Sequence, residues 1–230
     1  MKTPGLRFLG IALVVILGIW AGLKFHAGQR APDAGVPVPA GVAGAPDPKE
    51  AAELAAAAPR PVIPAKLPDF SLKDLSGKPV SVESWSGRSL VINFWATWCA
   101  PCRREIPLLK TLAANWEGRD LAIVGIAVDY PDKVRAFAQQ FKIDYPVLTG
   151  EQDALDLAAK FGMTSPALPF TVFTDRRGEV VALFVGELHR PQADFILSEV
   201  QSLNDERIGL AQARRAIAEG LEAMANKHSG

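Results

Sequence analysis

Cysteine is almost missing from this chain. Cys99 and Cys102 are the only two in 230 residues, and a tetrahedral zinc site needs four ligands. Histidine is scarce too, and His26, His189 and His228 all lie away from the cysteines. Only carboxylates remain to complete a metal site around the pair, so the sequence calls for no metal and no other cofactor. A charge excess is also lacking, with 25 Lys and Arg against 25 Asp and Glu. Without a basic surplus to neutralise phosphates, a nucleic-acid partner is excluded. Internal repeats and a second core are absent as well. An apolar fraction of 49% nevertheless suffices for one real core, in one large domain or a medium one with appendages.

The N-terminus holds an uncharged apolar run. Lys2 and Arg7 precede the 16 residues from Phe8 to Leu23, and Lys24 closes them. As a helix this run spans about 24 Å, somewhat short of a hydrocarbon core. Leu6 and the stems of Arg7 and Lys24 extend it by snorkelling. A cleaved signal peptide fits less well, because Phe25 and His26 stand where small residues are expected. The absence of a cysteine after the run excludes a lipidated anchor. Residues 1–26 therefore read as an N-terminal membrane anchor, with about 6–24 in the inner membrane and a cleaved signal as the alternative. Either way the remainder is expected on the periplasmic, or extracytoplasmic, side.

From residue 27 to 66 the composition shifts to Ala, Pro and Gly, with prolines at 32, 37, 39, 46, 48, 59, 61 and 64. Such a segment buries too little to fold and reads as a semi-extended tether. One stretch, D-P-K-E-A-A-E-L-A-A-A-A, has Asp47 as N-cap, Pro48 in the first turn and Glu50 completing a capping box, so it predicts a short helix. Beyond Lys66 the pattern becomes regular. D-F-S-L-K-D-L-S-G-K-P-V-S-V alternates around a turn, as a hairpin does. S-L-V-I-N-F-W and L-A-I-V-G-I-A-V are short apolar runs suited to buried strands. The stretch 101–116 has helical spacing, with Ile106, Leu109, Leu112 and Ala113 on one face. D-K-V-R-A-F-A-Q-Q-F and D-A-L-D-L-A-A-K-F read as helices on either side of a short Y-P-V-L strand. P-F-T-V-F-T and E-V-V-A-L-F-V form a second hairpin through D-R-R-G. The tail from Pro191 to about Lys227 is helical, with Gly209 and Gly220 as possible breaks. The expected architecture is one α/β domain over 67–204, a mixed central sheet flanked by helices with an N-terminal hairpin. A helical extension, 205–230, follows it as a packing helix or a docking element.

The two cysteines stand between a buried strand and a helix. A thiol at the helix start, here Cys99, meets free amide N–H groups and the positive end of the dipole, which favour a thiolate. Cys102, one turn on, lies close enough to attack a mixed disulfide on Cys99. A structural disulfide would close a tiny loop and so constrain little of the unfolded chain. Half of a zinc site is the other reading of the pair.

The stretch F-W-A-T-W-C-A-P-C-R-R-E-I-P-L-L resembles the active site of thioredoxin-like proteins, and P-A-L-P-F-T-V-F resembles their cis-proline segment. With the apolar N-terminus and the entry hairpin, W-A-T-W-C-x-P-C-R-x-E-x-P is similar to the TlpA/ResA type, exported thiol–disulfide oxidoreductases that are usually membrane-tethered. The resemblance runs from about Leu67 to Val200 and implies a thioredoxin-like fold. It makes Cys99 the exposed nucleophile, Cys102 the buried resolving thiol, and Trp98 and Pro101 parts of the surface that docks partners. Pro107 matches a helix-kinking proline. Pro169 would be the cis-proline facing the cysteines, leaving the Leu168 backbone to pair with a substrate strand. Many cytosolic thioredoxins carry a buried aspartate where Asn93 stands, and asparagine cannot accept a thiol proton. Glu105, one turn beyond Cys102, matches an acid of the ResA-like branch and is the candidate proton acceptor.

The implied partners are client proteins with cysteine pairs, for example in maturation of c-type cytochromes or copper oxidases, and a membrane electron donor. A peroxiredoxin-type peroxidase would need threonine at the Ala96 position, and copper-delivery relatives use C-x-x-x-C. His189 reads as a surface histidine. The Ala100-Pro101 dipeptide lacks the histidine common in strong oxidants, which favours a reductase. A thiol oxidant of the same fold and a non-catalytic periplasmic binding module are the alternatives.

Overall fold

The computed structural model describes residues 63–116, 120–163 and 167–228. The apolar run Phe8–Leu23, the helix expected after Asp47 and most of the proline-rich stretch lie outside the described residues. Within them, no helix is long and apolar enough to cross a membrane.

Seven strands form one mixed sheet. In chain order they are β1 (Ser71–Asp74), β2 (Pro79–Ser81), β3 (Ser89–Trp95), β4 (Leu121–Ala127), β5 (Val147–Thr149), β6 (Phe170–Thr174) and β7 (Val180–Val185). Their spatial order is β2-β1-β5-β4-β3-β6-β7. The helices are α1 (Ala100–Asn115), α2 (Pro131–Gln140), α3 (Gln152–Lys160), α4 (Arg190–Asn204) and α5 (Leu210–His228). β3 and β4 run parallel in unbroken register from Ser89↔Leu121 to Trp95↔Ala127, with α1 as the crossover. All seven residues of each strand are buried, as expected of strands covered on both faces. The two expected hairpins, β1–β2 and β6–β7, are antiparallel.

Strand alternation sorts β3 between two cores. Leu90, Ile92 and Phe94 join Ala154, Leu157 and Phe161 around α3 on one face. Val91 and Trp95 join Ile106, Leu109, Val134 and Ile196 on the other, which α1, α2 and α4 cover. Gly125 is where β4 passes beneath two large rings. A Cβ there would lie 3.0 Å from Trp95 Nε1 and 3.1 Å from Tyr145 Cε2.

The chain leaves α4 through a turn in which Glu206 takes φ 57, and α5 then packs Ala213 and Ile217 into the α1 face of the core. Gly220 does not break this helix, contrary to the sequence expectation. A Cβ at this position would lie 2.3 Å from Phe195 Cε1 of α4, so glycine serves close helix–helix approach. β7 is the edge of the sheet, and unpaired edges invite pairing with other chains. Here Arg214 of α5 donates through Nε to the Val180 carbonyl at 3.0 Å. Ala65 accepts from Val180 N at 3.0 Å, so the chain already lies on the edge strand before Leu67.

Candidate active site

Trp95 ends β3, and four residues later the chain turns into α1 with Cys99 as the N-cap. Its backbone is extended, φ −79° and ψ 107°, and its Sγ accepts the Cys102 N–H at 3.2 Å. Cys99 and Cys102 form a disulfide with Cα atoms 5.3 Å apart. The expectation of an exposed Cys99 needs correction: it is only 5% exposed, against 0% for Cys102. The disulfide ties its sulfur down over the first turn of the helix. The exposed feature is Trp98, 67% open to solvent, while Pro101 in the first turn is half-buried. Pro107 lies inside α1, where it leaves the Arg103 carbonyl without its helical donor.

Register brings the distant segment here. Antiparallel pairing sets Phe94 opposite Phe170, so Leu168 and Pro169 arrive at the end of the sheet from which Cys99 departs. The Leu168–Pro169 peptide bond is cis, the isomer implied by the resemblance. Pro169 is buried and Leu168 half-buried.

Beneath Cys102, α1 turns Glu105 inward, and the residue is 2% exposed. Asn93 Nδ2 donates to its Oε1 at 2.7 Å and to Thr171 Oγ1 at 3.0 Å. The backbone N–H of Leu188 donates to its Oε2 at 2.9 Å. Burial dominates and pushes the acid up to about 7, against the lowering pull of the Leu188 and Asn93 hydrogen bonds. A carboxyl that titrates there is poised for proton transfer near neutral pH. Asn93 thus occupies the strand position without being the acid, and instead holds the acid that α1 supplies. Burial, followed by the charges of Glu105 and Asp144, raises the Tyr145 hydroxyl above its ordinary range.

Sequence reasoning missed Asp129. This residue, 6% exposed, follows β4 and accepts hydrogen bonds from the Thr97 backbone N–H at 3.2 Å and the Thr97 hydroxyl. It also accepts from Tyr130 N at 2.8 Å. The carboxylate fixes the loop that carries Trp98 and Cys99. A carboxylate directly after an apolar strand run was the available signal. His189 is exposed at the start of α4. Among the described residues, no three His, Cys, Asp or Glu are grouped as a metal would require.

The AhpC/TSA family profile matches residues 63–183. Thioredoxin-like protein YneN of Bacillus subtilis (strain 168) is 34% identical over 133 residues, 56% of this chain and 75% of that protein. Thiol-disulfide oxidoreductase ResA of Geobacillus kaustophilus (strain HTA426) is 30% identical over 135 residues, 58% of this chain and 75% of that one. Among solved structures, a thiol:disulfide interchange protein of the thioredoxin family from Chlorobium tepidum TLS superposes with TM-score 0.54 at 30% identity. The superposition covers 60% of this chain and 96% of that one. With a C-x-x-C disulfide at the strand-to-helix junction, the chain belongs to the AhpC/TSA family and is a thioredoxin-like thiol–disulfide oxidoreductase of the TlpA/ResA type.

Proposed function

We propose that this enzyme reduces disulfides of client proteins on the extracytoplasmic side of the inner membrane, held there by residues about 6–24. In the reduced enzyme the Cys99 sulfur faces the Cys102 N–H and the positive end of α1, which favour a thiolate. That thiolate attacks one sulfur of the client disulfide, forming a mixed disulfide and releasing the other sulfur as thiolate. Cys102 then gives its proton to the Glu105 carboxylate, and its sulfur attacks Cys99 Sγ. The Cys99–Cys102 disulfide forms, and the second client sulfur leaves reduced. Two electrons pass to the client, and a membrane donor restores the dithiol. Trp98, Pro101, Leu168 and Pro169 form the docking surface, where the Leu168 backbone pairs with the client strand.

The observation that carries this reading is the buried Glu105, one helical turn from Cys102 and hydrogen-bonded from two sides. The apolar run Phe8–Leu23 and the Ala/Pro-rich stretch after it support export and tethering. Their composition fits a domain of residues 67–204, with its 205–230 extension, working close to a membrane donor. Clients in c-type cytochrome or copper-oxidase maturation suit a reductase in an oxidising compartment, which depends on supplied electrons.

The test is Cys102→Ser in the full chain, which should accumulate mixed disulfides on Cys99 with exported client proteins. Absence of such adducts, while the wild type reduces insulin, would remove the assigned order of attack. A reduction potential nearer about −270 mV than about −120 mV is expected of a reductase, and the opposite result would make the enzyme an oxidant.

A further inference from the structure

The loop between β7 and α4, residues 186–189, makes three contacts at the redox end of the domain. Gly186 N–H donates to the Pro169 carbonyl at 2.8 Å. Leu188 N–H donates to Glu105 Oε2 at 2.9 Å. Between them Glu187 Oε2 accepts from Arg104 Nε at 2.8 Å and from a second guanidinium nitrogen. Arg104 and Glu105 are successive on α1, as Glu187 and Leu188 are on the loop, so two helix residues grip two loop residues. Leu188, 1% exposed, pins the strap into the core. Gly186 takes φ +105 with open space around it, so its backbone conformation demands glycine.

We propose that Arg104 and Glu187 are positioning residues, whose ion pair clamps the 186–189 strap to α1 and keeps the Leu188 N–H on the Glu105 carboxyl. Its bearing on catalysis rests on the reading of Glu105 as proton acceptor. The Arg104 side chain is 61% exposed and that of Glu187 18%, and exposed pairs of this kind add little to folding stability. What the pair adds is placement of a backbone donor.

The groups around Glu105 are Asn93 from β3, Tyr145 from the segment before β5, Glu187 and Leu188 N–H from the strap, and Cys102 one turn back on its own helix, while Arg104 reaches it only through Glu187. His189 acts on Glu187. The Leu188 donor favours the ionised acid, whereas the Glu187 charge opposes it. Those opposite signs separate a clamp from simple electrostatics. Arg104→Gln loosens the strap and bares the Glu187 charge, and both effects raise the Glu105 midpoint. Glu187→Gln removes the opposing charge as well, so charge alone would lower the midpoint and a freed strap would raise it.

The experiment follows the Glu105 carboxyl carbon by NMR from about pH 4 to pH 10 in the oxidised protein, beside the pH profile of insulin reduction. Arg104→Gln should raise the midpoint by about one unit, as loss of a donor to a carboxylate does, and Glu187→Gln should raise it by less, because the opposing Glu187 charge goes too. Arg104→Lys should restore it. A lowered midpoint in Glu187→Gln, or an unmoved one in Arg104→Gln, overturns the clamp. Raised midpoints with an unmoved reduction profile would uphold the clamp and instead remove Glu105 from the proton transfer.

Discussion

The two faces of the central sheet are built differently. On the α3 face, Phe94 stacks on Phe170 with ring centroids 4.2 Å apart and meets Phe161 edge-on at 5.9 Å. Leu90, Ile92, Leu157 and Val172 pack around these rings. The α1 face holds the disulfide, the Glu105 carboxyl and its Asn93 partner. It also holds Trp95 Nε1 and Tyr145 OH, both buried without a hydrogen-bond partner among the described residues. A buried carboxyl costs free energy once it ionises, whereas stacked rings only gain from burial. One face is built for stability, and the other gives some stability up to hold an ionisable acid behind a cysteine.

This contrast breaks first at Cys99. Cys99→Ser should abolish insulin reduction while leaving the fold, read by circular dichroism, unchanged. Residual turnover would mean that Cys102 attacks clients directly. Next, Phe94→Ala should destabilise the domain by about 3–5 kcal/mol, the usual cost of emptying a buried aromatic site. Urea unfolding measures it, and the surviving folded molecules should still reduce insulin. A loss of activity beyond the loss of folded protein would show that the apolar face serves the chemistry too.

Glu105 should show the reverse pattern. Its folded carboxyl titrates near 7 instead of 4.5 because of burial. The unfolded chain releases the proton near its ordinary value while the folded one keeps it. Stability therefore falls as pH rises through this window, and the penalty is complete above it. The loss is about 3 kcal/mol. Glu105→Gln should remove that slope in urea titrations of the oxidised protein and should slow thiol exchange. A wild type that grows more stable between the two pH values than the variant would contradict the raised acid.

The smallest effect is expected at Gly220, in the outer layer of the α1 face. Alanine ordinarily favours a helix over glycine by about 1 kcal/mol. Here the new methyl would meet the Phe195 ring, and such overpacking costs about 1–3 kcal/mol. A net loss of about 1 kcal/mol in thermal unfolding is the expected balance, and stabilisation would show that the ring moves aside freely.

Much of this was readable in advance. The period-two and unbroken apolar runs became β3, β4 and the two hairpins, because burial on one or both faces leaves that imprint on a strand. The C-x-x-C stands between a strand and a helix, and that position together with the family resemblance points to its redox chemistry. Propensity offers Gly220 as a possible break, because it does not register a ring from the neighbouring helix.

The sequence by itself determined the elements, the cysteine pair and an acid one turn behind it, for these are local patterns. Tertiary structure decided what that acid is. Leu188, 83 residues from Glu105, supplies a backbone N–H, and Thr171, 78 residues from Asn93, accepts its amide. No residue type announces a backbone donor, and only the β3–β6 register and the folded strap bring these groups together. The titration of Glu105 is set by burial and by those distant partners, and both exist only once the chain has closed around it.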